Sequence, residues 1–155
     1  VVLPVRKKLP HDTPQWVAEG SWFFITINCV PRGKNQLCHE GTGHAVLAAI
    51  AHNHEKLVWH CRLALLMPDH LHAILAFPSD PGMKITISNW KKFVARKIGI
   101  NWQRDFFDHR LRNDQEFEEK TSYILMNPVR KTLCALPADW KWVYRPNDRL
   151  PPNFS

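Results

Sequence analysis

A chain of 155 residues is long enough for one domain with a real core and too short for two comfortable ones. It has no run of 18 or more apolar residues, and its opening "VVLPVRKKLPHDTPQW" breaks the apolar residues with charge and proline, so no membrane span or signal peptide is predicted and a cytoplasmic protein is expected. A net charge of +7 points to a polyanionic partner, and four scattered cysteines without a C-x-x-C pair suggest neither a zinc ribbon nor a disulfide framework.

In chain order, residues 1–19 read as an extended arm carrying Arg6, Lys7 and Lys8, residues 20–145 as the domain, and 146–155 as a proline-rich tail. "SWFFITINCV", 21–30, has the β-branched and aromatic content of a buried strand. Val46, Leu47, Ile50 and Ala51 predict a helix from about 42 to 54, and "KLVWHCRLALLM", 56–67, a second strand. Pro68 and Asp69 suit a type I turn into a third strand, "HLHAILAFP", 70–78. Residues 84–98 read as a basic amphipathic helix. Residues 102–111 read as a strand, and Asn113 with Glu116 as the capping box of a last helix that Pro128 should end at or before Asn127. The order strand-helix-strand-strand-helix-strand-helix predicts an α+β domain with an antiparallel, ferredoxin-like sheet.

Between Lys84 and Arg104 stand six basic residues and no acidic one, with Trp90, Phe93 and Trp102 interleaved. Cations neutralise phosphates and aromatic faces stack on unpaired bases, so this stretch suits a single strand. The same Trp90, Phe93 and Val94 also have the spacing of a buried helical stripe.

Alternate side chains of a strand share a face, so His70 and His72 point the same way with Cα atoms roughly 6 to 7 Å apart. Two imidazoles placed so can converge on one divalent metal. His52 and His54 repeat the spacing, but at a helix end, where they read as polar surface. In "SYILMNPVRKTL", Tyr123 and Asn127 lie four apart on one helical face. An amide oxygen can join two imidazoles on Mg²⁺ or Mn²⁺, and a tyrosine beside such a metal can attack a phosphodiester. Taken singly, Tyr123 also reads as packing and Asn127 as a helix terminator.

Together these residues resemble one family. "MPDHLHAIL" resembles the histidine-hydrophobe-histidine (HUH) motif of single-tyrosine transposases, and "YILMNPVR" the catalytic-tyrosine helix of the REP-associated tyrosine transposases. "NWQRDFFDHRLRND" and "WFFITINCVPRG" are similar to that branch's W-Q-R segment and opening strand, so the resemblance runs from about Trp22 to Trp142. It departs at Asp69, where Asn is common, at a short loop over 79–83, and at Asn127, where the wider group often has Gln.

The resemblance implies that His70 and His72 ligate Mg²⁺ or Mn²⁺ from a central strand, with Asn127 as third ligand and Tyr123 as nucleophile. It further implies a DNA endonuclease and strand transferase that acts on single-stranded hairpins, the repetitive extragenic palindromes, through a 5′-phosphotyrosine. Charge and position assign Lys91, Lys92, Arg96 and Lys97 to the hairpin stem, and Arg104, Arg110, Arg112 and Arg130 to the cleaved strand. A monomer is expected, with a dimer as the alternative. Two rival readings stay open: a catalytically silent hairpin-binding protein, and a small metallohydrolase that activates water with the histidine pair.

Overall fold

The computed structural model describes residues 14–146. Its elements are α1 (Gln15–Glu19), β1 (Trp22–Asn28), α2 (Glu40–Glu55), β2 (His60–Met67), β3 (His70–Ala76), α3 (Met83–Ile98), β4 (Phe107–Leu111), α4 (Asp114–Arg130) and β5 (Val143–Tyr144), with a 3₁₀ turn at Pro137–Asp139. The five strands form one antiparallel sheet in the order β4-β1-β3-β2-β5. This is the α+β, ferredoxin-like order expected, with β3 at the centre.

Period-two alternation splits the core into two layers. Ile25, Ile27, Leu71, Ala73 and Leu75 pack with Val46 and Ile50 of α2 and with Ile87, Trp90 and Val94 of α3. Phe24, Leu63, Leu65, Ile74 and Leu111 pack with Phe117 and Ile124 of α4 on the opposite face. The two helical layers therefore sit on opposite sides of the sheet, which decides below what each can reach. Trp90 is core, as the stripe predicts, whereas Phe93 is exposed.

Local chemistry explains most element ends. α3 stops at Gly99, whose left-handed φ of 92° suits glycine and whose N–H returns to the carbonyls of Val94 and Ala95. Asn113 caps α4 by accepting from the Glu116 N–H, while Glu116 reaches back one residue further, to the N–H of Arg112. Gly43 lets α2 lie against the ring of Trp142, in space that a Cβ would fill.

Four expectations are corrected. Gln15–Glu19 is a short helix with Val17 buried, where an extended arm over 1–19 was expected; residues 1–13, with Arg6, Lys7 and Lys8, lie outside the described residues, as do 147–155 of the tail. α4 runs through Pro128 to Arg130, because a proline so near the end removes one helical hydrogen bond while Lys131 N–H still reaches Asn127 O at 3.1 Å. The strand expected over 102–111 is regular only from Phe107, Trp102 making a single bridge to Cys29. The Trp-rich C-terminal segment adds a fifth strand, β5, on β2, with Leu66 N–H donating to Trp142 O and the Trp140 indole N–H to Leu66 O.

Candidate functional site

The tight turn Pro68-Asp69 sets Met67 opposite His70 and so starts β3 on a histidine. His70 and His72 then face the α4 layer, their ring centroids 4.7 Å apart. The Tyr123 ring comes down from α4 to 6.0 Å from that of His72, and Phe24 closes the group, stacked 5.3 Å from His72 and edge-on 6.1 Å from Tyr123. His72 is 5 % and Asn127 4 % exposed, whereas Tyr123 is 43 % exposed. A buried imidazole thus lies beside a tyrosine that solvent reaches, and Asn127 is buried one turn further along α4.

Each imidazole is held by Nδ1. The Nδ1 of His70 is 2.8 Å from Asp69 Oδ1, and that of His72 is 2.9 Å from Thr26 Oγ1 on β1. A carboxylate only accepts, so the proton of His70 sits on Nδ1 and the lone pair on Nε2. Neither Nε2 has a hydrogen-bond partner among the described residues, nor does the side-chain amide of Asn127. Asp69 is itself clamped: its Oδ2 accepts from Gly33 N–H at 2.7 Å and from Arg32 Nε at 2.9 Å. The turn also takes Cys29 N–H on Asp69 O and the N–H groups of Gln36 and Leu37 on Pro68 O, which locks the loop after β1 onto the histidine hairpin.

The electrostatics keep the imidazoles neutral. Burial first, then His70, Arg130 and Lys120, hold the His72 pKa down to about 3. Burial also lowers that of His70, against the pull of Asp69. Burial raises Asp69, but hydrogen bonds from Arg32, Gly33 and His70 outweigh it and keep the carboxyl well below the usual carboxylate range. A neutral imidazole with a free Nε2 lone pair, as at His70, is the form that binds a cation, and His72 takes the same form when its Nδ1 donates to the Thr26 hydroxyl. No cluster of three His, Cys, Asp or Glu capable of holding a metal exists among the described residues.

Cations surround the tyrosine. Arg130 Cζ is 4.3 Å and Lys120 Nζ 5.2 Å from its ring centroid. Of the other basic residues singled out in the sequence, Lys92, Arg96 and Lys97 are exposed on α3, in the layer opposite Tyr123, and Arg104, Arg110 and Arg112 are exposed around β4 at the sheet edge. Lys91 is the exception. It is 9 % exposed, and its ammonium donates to the carbonyls of Gln103, Arg104 and Asp105, which uses its three hydrogens and leaves none for a phosphate. Its position on the turn of α3 facing the sheet follows from helical spacing with Ile87 and Val94, but three waiting carbonyls carry no sequence signal. Thr26 and Arg32 carry no sequence signal for a related reason, their partners being remote along the chain, whereas Lys120 lies three residues before Tyr123 on α4, a spacing that signals their contact.

No family model matches the chain. It is 26 % identical over 133 residues to the REP-associated tyrosine transposase of Escherichia coli (strain K12), covering 81 % of this chain and 76 % of that protein. To a putative REP-associated tyrosine transposase of Haemophilus influenzae it is 27 % identical over 95 residues, 50 % of this chain and 53 % of that one. Among solved structures, the REP-associated tyrosine transposase bound to a REP hairpin superposes with a TM-score of 0.70 at 24 % identity over 80 % of this chain and 76 % of that chain, so the two share a fold. No helix among the described residues is long and apolar enough to cross a membrane.

Proposed function

We propose that this chain is a metal-dependent nuclease and strand transferase for single-stranded hairpin DNA, with Tyr123 as nucleophile. The observation that carries the reading is the meeting of an exposed tyrosine with two neutral histidines, both tied down at Nδ1 and both free at Nε2. The similarity to REP-associated tyrosine transposases, one of them solved with a REP hairpin bound, supports hairpin DNA as the substrate.

The residues fit a hard divalent cation such as Mg²⁺ or Mn²⁺: His70 and His72 would hold it through Nε2, and the buried amide of Asn127 would serve as third ligand. When bound, the cation polarises the scissile phosphate and stabilises the departing oxygen. The protein supplies the rest. Asp69 and Thr26 hold the rings in place, and Phe24 keeps water from the floor of the site. Arg130 and Lys120 attract the phosphate and hold it in reach of the phenol. The Tyr123 oxygen forms a bond to phosphorus as the bond to the 3′ oxygen breaks; the phenol gives up its proton and the 3′ oxygen gains one. A 5′-phosphotyrosine and a free 3′-hydroxyl result. An incoming 3′-hydroxyl reverses the step and joins the strands, so no external energy source is needed.

The exposed Lys92, Arg96 and Lys97 of α3 would take the stem, and Arg104, Arg110 and Arg112 would carry the strand round the β4 edge toward Tyr123; Lys91 shapes the loop under them. The domain would span residues 20–145 and work as a monomer on cytoplasmic DNA. The test is incubation with single-stranded hairpin oligonucleotides and Mn²⁺. A covalent protein–DNA species is expected, absent in Tyr123→Phe and in His72→Ala. Turnover that survives Tyr123→Phe would mean a water-activating hydrolase, and no adduct across a library of hairpins would mean a binding protein.

A further inference from the structure

One large apolar side chain on the face of Tyr123 has no cover. Phe107 opens β4 and is 56 % exposed, although it lies on the same face as Leu111, which α4 buries. A single exposed phenylalanine is ordinary in itself. The position of this one is not. The register sets Phe107 opposite Thr26, and Thr26 opposite His72, so the three form one lateral row across β4, β1 and β3. At about 4.8 Å per strand the Phe107 Cα is roughly 10 Å from that of His72. Its ring meets the ring of Phe24 edge-on at 6.2 Å, and Phe24 in turn touches both His72 and Tyr123. Lys120 Nζ stands 4.7 Å from the Phe24 ring and 5.2 Å from that of Tyr123, so a cation faces the ring that joins Phe107 to the tyrosine.

Resting on the single-strand reading above, we propose that Phe107 is a stacking platform for an unpaired base of the strand whose phosphate meets Tyr123. Three features select this ligand over another protein surface. Positive charge at Lys120 and Arg130 complements phosphate, an open aromatic ring complements a base, and the Phe24 ring joins the two, touching Phe107 on one side and Tyr123 on the other. Stacking accepts any base, so the residue would fix the position of the strand and leave sequence choice to other contacts.

The test uses the Tyr123→Phe protein, to separate binding from turnover, and an oligothymidylate of about 20 nucleotides with 2-aminopurine at one position, moved stepwise along the strand. With Phe107 intact, quenching is expected at one bound position. Phe107→Leu should relieve it and weaken binding by about 5- to 150-fold, the equivalent of one lost base stack, while Phe107→Trp stays within about threefold of the parent. Circular dichroism should not distinguish the three proteins, since the side chain is largely exposed. If Arg130→Ala weakens binding and Phe107→Leu does not, the platform is wrong and the single-strand reading stands. Failure of the Phe107-intact protein to bind the oligonucleotide overturns the platform, while the single-strand reading is decided separately by the covalent adduct with hairpin DNA. Unchanged affinity with loss of self-association in Phe107→Leu would instead make the exposed β4 edge a contact between two copies.

Discussion

Arg130 covers the ring of Tyr123, its Cζ 4.3 Å from the centroid, while its Nη2 donates to the Tyr123 carbonyl at 2.7 Å. One side chain thereby restrains Tyr123 and sets a cation where the proposed reaction would bring a phosphate. Arg130→Ala should slow formation of the covalent adduct by about tenfold or more, the equivalent of roughly 1.4 kcal/mol, and Arg130→Lys should restore part of it. Both residues are exposed, so thermal stability should hardly move. An adduct rate unchanged in Arg130→Ala would remove Arg130 from the site.

Asp69 joins Arg32 and Gly33 to His70, and its worth should appear in cation affinity rather than in folding. Titrating Mn²⁺ by electron paramagnetic resonance should show affinity about 10- to 100-fold weaker in Asp69→Ala. Asp69→Asn, which keeps one acceptor for His70 but not the ionic hold on Arg32, should lose less. His70→Ala and His72→Ala set the floor. If they lose Mn²⁺ and Asp69→Ala does not, the carboxylate does not orient the ring.

Lys91 and Lys92 are neighbours in opposite environments, one buried and one exposed. Lys91→Met strands three carbonyls and should lower unfolding free energy by about 2 to 3 kcal/mol in urea titration, with the salt dependence of DNA binding intact. Lys92→Ala should leave stability alone and reduce the slope of log affinity against log salt by about 0.7 to 0.9, one phosphate contact. The reverse pattern would contradict the burial of Lys91.

The sheet should weaken in mild acid through His60. Burial, then His54 and Arg62, hold its pKa down to about 4. Its unfolded value is near 6.5, so between these limits the unfolded chain binds the proton and the folded one does not. The contribution is complete above about pH 6.5 and is lost as pH falls toward 4, by up to roughly 3 kcal/mol. His54 and His72 act in the same direction. Urea midpoints measured between pH 7 and 4.5 should fall, and fall less steeply in His60→Leu; an identical slope in the variant would place the proton elsewhere.

Local periodicity was enough to determine much of this protein. Alternation along β3 decided that His70 and His72 share a face, and a spacing of four decided the same for Tyr123 and Asn127, because strand and helix geometry orient side chains without reference to the rest of the chain. The order of elements, with its hairpin at Pro68-Asp69, was legible for the same reason. Tertiary structure alone decided what those faces meet. Thr26 reaches His72 across 46 residues, Arg32 reaches Asp69 across 37, and a lysine that reads as a phosphate contact is used up by three carbonyls of a loop. It also set basic α3 and Tyr123 on opposite sides of the sheet and left Phe107 uncovered beside the site. A residue's neighbours across a sheet depend on pairing and layer packing between distant segments, and no short window of sequence contains both partners.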